Sequence, residues 1–139
     1  MHKFKSQPVL ERFMEFPKDK RKYLFELREM IFDVAKTDTR IGQISEELRW
    51  GDPSYITASS NSGSALRIGL FGESKVALYF HCKTMLVERF KEQYFDTLEY
   101  SKNRAILIAP QSPPKDEILR NCIYASLVYK LQSKGKLRA

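Results

Sequence analysis

Apolar residues recur at two different spacings along the chain, and each spacing predicts one type of secondary structure. In residues 18–36 they are three and four positions apart, at Leu24, Leu27, Ile31 and Val34. This period places them on one face of an amphipathic helix. A shorter helix is predicted at about residues 8–15, with Pro8 in its first turn and Pro17 beyond its end.

Alternation of apolar and polar residues predicts two hairpins in the second half of the chain. Their strands fall at residues 66–70, 76–82, 98–100 and 104–109. Helical spacing returns at residues 84–95, with Thr84 as the cap, and again after Ser112 and Pro113. These elements predict an α+β fold, with an antiparallel sheet of about four to five strands and helices packed mainly on one face.

One segment before the first hairpin consists almost wholly of small polar residues. Residues 57–64 have the sequence TASSNSGS and are called the serine-rich loop below. Such a composition is typical of loops rather than of packed structure. We expect a mobile loop that can serve as a lid over a neighbouring pocket.

The length and composition are those of one globular domain. The chain has 139 residues, of which 42% are hydrophobic and 29% charged. A single core is therefore expected without help from disulfides or a structural metal. The cysteines, Cys82 and Cys122, lack a close metal-binding or redox spacing and are expected to be reduced. Without a signal peptide or membrane-spanning run, we expect a cytoplasmic protein with no membrane partner.

The net charge of +7 arises mainly near the two ends of the chain. The basic residues concerned are Lys3, Lys5, Lys130, Lys134, Lys136 and Arg138. We expect flexible basic ends at about residues 1–6 and 131–139. Weak nucleic-acid binding through these ends is an alternative function, but we favour solvated ends without a specific partner.

The most unusual segment, residues 46–55, contains the single tryptophan of the chain among several charged residues. Gly51 can adopt a positive φ and Pro53 favours extended geometry, so Trp50 and Tyr55 should project from a rigid backbone. These two aromatic rings either line a ligand pocket or fill the junction between helix and sheet. The chain has no Walker loop, dinucleotide-binding glycine pattern, HExxH or GxSxG motif, so we expect binding rather than catalysis.

A set of positions in the long helix, in segment 46–55 and in one predicted strand carries a family resemblance. They are Tyr23, Leu24, Leu27, Arg28, Glu47, Trp50, Gly51, Pro53, Tyr55, Leu78, Tyr79 and Phe80. This pattern resembles the YdhG-like family, domain of unknown function 1801. The resemblance implies a frataxin-like α+β domain, in which helices cover a curved antiparallel sheet, and one family branch is described as an intracellular iron chaperone. It implies no catalytic residues.

Iron delivery is therefore an alternative function, and iron is the one cofactor under consideration. Fe(II) in transit favours several exposed carboxylates that lie close together. Two candidate sets are Glu46, Glu47 and Asp52 in segment 46–55, and Glu88, Glu92 and Asp96 at four-residue spacing near the third predicted helix. Arg89 and Lys91 beside the second set also allow an ordinary salt-bridged surface there, which we favour.

The principal hypothesis is a small cytosolic binding or carrier domain with a ligand cleft near segment 46–55. The candidate ligand-binding residues are Glu47, Trp50, Tyr55, Tyr79 and His81. Tyr79 and His81 share one face of a predicted strand and could border a cleft beside the serine-rich loop. Cys82 points to the opposite face, towards the core, so His81 and Cys82 do not form a metal site. The ligand, a small molecule or a metal, and the oligomeric state remain open.

Overall fold

The computed structural model describes residues 1–131. This part has four α-helices, namely α1 (Gln7–Glu15), α2 (Lys18–Lys36), α3 (Leu86–Gln93) and α4 (Asp116–Leu127). Its strands are β1 (Ser45–Arg49), β2 (Asp52–Ile56), β3 (Leu66–Phe71), β4 (Lys75–Phe80), β5 (Glu99–Ser101) and β6 (Ala105–Ile108), and a 3₁₀ turn covers Cys82–Thr84. No helix among residues 1–131 has the length and apolar content needed to cross a bilayer. The predicted basic C-terminal end lies outside the described residues from residue 132 onward.

The strands form one antiparallel sheet of six strands in the order β1-β2-β3-β4-β6-β5. The predicted α+β class is confirmed, whereas the expected count of about four to five strands is too low. β1 and β2 account for the difference, because their polar residues hide the alternation of a half-buried strand. Pro53 is tolerated since it precedes Ser54 and Tyr55, the residues at which β2 pairs with β3.

One large hydrophobic core lies between the helices and one face of the sheet. The α2 residues predicted to face inward are all buried in it: Leu24, Leu27, Ile31 and Val34. The sheet contributes Tyr55, Leu66, Ile68, Leu78, Phe80 and Ile106. The opposite face of the sheet carries a small separate cluster of Ala77, Ala105 and Leu107 beside Tyr79. The helices therefore cover mainly one face, as expected.

Two of the predicted helices begin later than expected. The predicted helix at 84–95 is interrupted at Met85, which has a φ of 62°, so the 3₁₀ turn precedes it and α3 follows it. Met85 is the N-cap residue of α3 and provides no side-chain cap, so Thr84 is not the expected cap, although its Oγ1 accepts a hydrogen bond from the amide of Leu86 at 3.2 Å. α4 begins at Asp116 with Lys115 as its N-cap residue, so Ser112 and Pro113 do not start it; Pro113 and Pro114 disfavour helical geometry in the residues directly before them.

The serine-rich loop is fixed against the end of α4 and does not form the expected mobile lid. The Ser62 hydroxyl donates to the carbonyl of Leu127 at 2.7 Å, and the amide of Ser64 donates to the carbonyl of Ser126 at 2.9 Å. A Cβ added at Gly63 would lie 2.3 Å from the carbonyl oxygens of α4. The small residues thus allow the backbone of the loop to pack closely against α4. Their composition alone does not distinguish such a packed loop from a mobile one.

The N-terminal residues are held against α2, in contrast to the flexible end expected at residues 1–6. The carbonyl oxygens of His2 and Lys3 accept hydrogen bonds from Arg28 at 2.6 and 3.2 Å. The Arg28 guanidinium also lies over the ring of Phe4, 3.7 Å from its centroid. The N–H donors of a buried guanidinium cannot bond to water and need acceptors within the protein. The backbone carbonyls of His2 and Lys3 are two of these acceptors.

Candidate functional site

Trp50 and Tyr55 occupy opposite environments and do not face one common cleft. Trp50 is 91% exposed, whereas Tyr55 is fully buried beneath α2. Trp50 and Gly51 form the two-residue turn between β1 and β2, with φ values of 56° and 78°, as a type I′ hairpin requires. The core-filling interpretation therefore holds for Tyr55, while the Trp50 ring at the hairpin tip neither fills the core nor shares a pocket with Tyr55.

Tyr55 belongs to a buried network that is centred on Arg28 and Glu46. The Tyr55 hydroxyl donates to Glu46 Oε2 at 2.8 Å. Arg28, whose side chain has no solvent exposure, donates from Nε to Glu46 Oε2 at 2.6 Å and from Nη2 to Glu46 Oε1 at 3.0 Å. Burial raises the pKa of Tyr55 far above its ordinary value, and the negative charge of Glu46 raises it further. Tyr55 is therefore a neutral donor that helps to hold Glu46 in place.

Arg28 is absent from the sequence-predicted site residues, although its position carried a signal. It follows Leu27 and precedes Ile31 on the buried face of α2. A charged side chain on an apolar helix face requires a partner of opposite charge in the core. That partner, Glu46, is 18 residues away in the sequence and was instead predicted as a metal ligand.

Glu47 and Tyr79 lie on the outer face of the sheet, away from the helices. The register aligns Glu47, Ser54, Arg67 and Tyr79 across four neighbouring strands, so two strands separate the two predicted residues. The Arg67 guanidinium lies over the Tyr79 ring, 4.2 Å from its centroid, and donates to Asp52 Oδ2 at 2.6 Å. Partial burial raises the pKa of Asp52, although the hydrogen bond and charge of Arg67 act in the opposite direction.

His81 follows the end of β4 and is exposed to solvent. Its Nδ1 accepts a hydrogen bond from the amide of Lys83 at 3.2 Å, so the ring caps the 3₁₀ turn. Cys82, which was expected in the core, is half-buried because the strand ends at Phe80. Cys122 is fully buried, as expected. The five predicted ligand-binding residues are thus distributed over the core, the outer face of the sheet and two turns.

The two carboxylate sets proposed for iron are not assembled as metal sites. Glu46 and Glu47 are consecutive strand residues and point to opposite faces, and Asp52 is engaged by Arg67. In the second set, Asp96 lies beyond the end of α3 at Gln93, so the helical spacing does not extend to it. Across residues 1–131, no group of three or more histidine, cysteine, aspartate or glutamate side chains is placed to hold a metal ion.

A cleft of about 580 Å³ lies at the base of the β1–β2 hairpin, between the N-terminal residues and the end of α2. We call it the basic cleft, because its lining includes Lys3, Lys5 and Lys36. Phe32, Ala35 and Ile44 form its apolar wall, and Glu46 and Ser59 complete the side towards the sheet. The cleft therefore contacts segment 46–55 and the serine-rich loop, but at the opposite end of the hairpin from Trp50.

Comparison with known proteins identifies the fold. No protein-family model matches the chain, and no curated protein matches it. Among solved structures, it is similar to a Bacillus subtilis protein of the DUF1801 family, YdhG, with a TM-score of 0.62 and 13% sequence identity, over 86% of this chain and 89% of that one. This similarity confirms the expected YdhG-like architecture and gives no support to a frataxin-like relationship. The protein therefore has the α+β fold of YdhG.

Proposed function

We propose that this protein is a small cytoplasmic binding or carrier domain that holds an anion with an apolar body in the basic cleft. The observation that carries the proposal is the combination of three lysines and an apolar wall around one cleft of about 580 Å³. Pockets of this size accommodate metabolite-sized ligands. Lysine ammonium groups favour a carboxylate or phosphate, and the wall favours a hydrocarbon or aromatic group.

The carboxylate in the cleft wall does not cancel the attraction for an anion. Both oxygens of Glu46 accept hydrogen bonds from the buried Arg28, so a positive charge of the protein already lies against this carboxylate. The charges of Lys3, Lys5 and Lys36 are then the ones that a ligand meets at the surface. These lysines are exposed, so their attraction for an anion should weaken as the salt concentration rises.

The walls of the basic cleft are held in position by contacts with one another and with neighbouring residues. The Phe32 ring stacks on His2 at a centroid distance of 4.8 Å and meets Tyr55 edge-on at 5.8 Å. The hydroxyl of Ser60 donates to the carbonyl of Ile41 at 2.6 Å, which ties the serine-rich loop to the segment before β1. A ligand therefore meets a largely preformed surface, so little conformational entropy opposes binding.

The test uses 3-phenylpropionate, a carboxylate with an apolar body. We expect saturable shifts in the backbone amide NMR signals of Gly42 and Ser59, which line the cleft. Simultaneous Lys3→Gln, Lys5→Gln and Lys36→Gln replacement should weaken binding at least about tenfold, since each exposed charge contributes on the order of 0.5–1 kcal/mol.

The matched control is Lys22→Gln, which removes a lysine charge from the same helix outside the basic cleft. Compared with Lys36→Gln alone, it should change the affinity for 3-phenylpropionate much less. Phenethylammonium, which has the same ring and the opposite charge, should leave the signals of Gly42 and Ser59 unshifted. Equal effects of the two lysine replacements, or equal shifts by the two compounds, would refute the proposed anion site.

A further inference from the structure

A second cleft, of about 720 Å³, lies between α2 and the start of α4. We call it the acidic cleft because five carboxylate residues line it, against two basic side chains, Lys22 and Arg120. The carboxylates are those of Asp19, Glu26, Glu29, Asp33 and Asp116. The excess of negative groups remains when an α-amino group at Met1, which also lines the cleft, is counted. Its apolar walls come from Phe25, Met30, Pro110 and Pro113.

The carboxylates of the acidic cleft differ in how they are already engaged. Glu29 accepts hydrogen bonds from His2 and Arg28, and Asp19 pairs with the neighbouring Lys20. Within the described part of the chain, Glu26, Asp33 and Asp116 form no salt bridge. Glu26 projects from α2 and Asp116 from the first turn of α4, so the cleft has acceptors on both walls.

An independent observation, the hydroxyl of Tyr23, points to a ligand in the same place. Tyr23 lines the cleft and is 6% exposed, and its hydroxyl has no hydrogen-bond partner among residues 1–131. Buried polar atoms without partners are rare in folded proteins and indicate a missing water, ion or ligand. Burial, followed by the charges of Asp116 and Glu26, raises the pKa of Tyr23 well above its ordinary value. The hydroxyl therefore remains protonated, and Glu26 and Asp116 line the same cleft as Tyr23.

We propose that the acidic cleft binds an organic cation, a primary ammonium group on an apolar body. The ammonium group has three donors, which match the carboxylates of Glu26 and Asp116 and the phenolic oxygen of Tyr23. The apolar body packs against the walls, and the aromatic rings of Tyr23 and Phe25 also favour a nearby cation. This site does not depend on the proposed function, because it lies in a different cleft and selects the opposite charge.

Phenethylammonium is the probe for this site, and 3-phenylpropionate is its control of opposite charge. We expect phenethylammonium to shift the backbone amide NMR signals of Tyr23 and Asp116 in a saturable manner. The double variant Glu26→Gln with Asp116→Asn should bind at least about tenfold more weakly, since two charge-assisted hydrogen bonds are lost. Glu117→Gln, a neighbouring change in the first turn of α4 that does not touch the cleft lining, should leave the affinity unchanged.

Tyr23→Phe separates a ligand contact from a structural role. It should weaken phenethylammonium binding about threefold, while its melting temperature equals or exceeds that of the wild type, because an unpartnered buried hydroxyl is removed. Unchanged affinity in Tyr23→Phe or in the double carboxylate variant would overturn the proposal. Equal shifts by the ammonium and carboxylate probes at Tyr23, or no shift by phenethylammonium, would also overturn it.

Discussion

Replacement of Glu46 by glutamine tests whether the buried ion pair supports the fold. The variant keeps the shape of the side chain but removes its charge. Two hydrogen bonds from Arg28 and one from Tyr55 converge on the Glu46 carboxylate at 2.6 to 3.0 Å. A glutamine places an NH₂ group where one of these donors requires an acceptor, so at least one buried donor loses its partner.

The expected loss of unfolding free energy in Glu46→Gln follows from the burial of Arg28 and Glu46. The Arg28 side chain has no solvent exposure and that of Glu46 is 7% exposed. Breaking a buried pair from one side typically costs about 3–5 kcal/mol. Glu29 remains at 3.0 Å from Arg28 and glutamine keeps one acceptor, so we expect a smaller loss of about 2–3 kcal/mol. For a domain of this length, that loss lowers the melting temperature by about 10 °C.

The assay is urea denaturation followed by far-ultraviolet circular dichroism, with Glu47→Gln as the matched control. Glu47 is the next residue, but its side chain is 48% exposed and pairs with Arg49 at 3.4 Å on the surface. Its replacement should cost about 0.5 kcal/mol or less. If Glu46→Gln and Glu47→Gln destabilise the protein equally, the buried-pair argument is wrong.

Three further predictions concern single side chains. Burial raises the pKa of the Cys122 thiol to about 12. Iodoacetamide should therefore modify Cys82 alone in the folded protein and both cysteines after unfolding, as measured by mass spectrometry. Labelling of Cys122 in the folded protein would contradict its burial. Trp50 is 91% exposed, so its fluorescence emission should resemble that of free indole in water. Unfolding should barely change its quenching by acrylamide. An emission maximum of the folded protein far to the blue of that of free indole would contradict this exposure. Partial burial by itself would raise the pKa of Glu29, but hydrogen bonds from His2 and nearby positive charge lower it below the ordinary value of 4.5. The stability that Glu29 provides is therefore present above pH 4.5 and lost as the pH falls through its folded pKa. Glu29→Gln should therefore reduce the slope of melting temperature against pH on the acid side. An unchanged slope would refute this role.

The elements with regular amphipathic spacing could be predicted from the sequence, whereas the edge of the sheet could not. The predicted helix at 18–36 agrees with α2, because the apolar residues repeat over five turns with few interruptions. β1 and β2 were not predicted because Glu46 points into the core, at a position where an alternating pattern requires an apolar residue. Its burial depends on Arg28, a contact between distant positions that periodicity does not report.

The basic cleft could not be predicted because its parts come from separate segments. Lys3 and Lys5 belong to an end that composition assigns to solvent, Lys36 to the last turn of α2, and Ser59 to the serine-rich loop. Segment 46–55 was correctly recognised as unusual, but its turn at Trp50 and Gly51 directs the indole away from the molecule. A two-residue hairpin turn explains the sequence of that segment without requiring a ligand.

The Arg28 network connects the stability of the fold to the geometry of the basic cleft, because it also holds the N-terminal residues that carry Lys3 and Lys5. The combined variant Arg28→Met, Glu46→Leu and Tyr55→Phe removes one positive and one negative charge, and apolar replacements of a buried pair can preserve stability. Since the net charge is unchanged, weaker binding of 3-phenylpropionate in a folded variant would report displaced lysines rather than lost charge. We expect its affinity to fall towards that of Lys3→Gln with Lys5→Gln. Wild-type affinity in the folded combined variant would show that the N-terminal residues keep their position without Arg28.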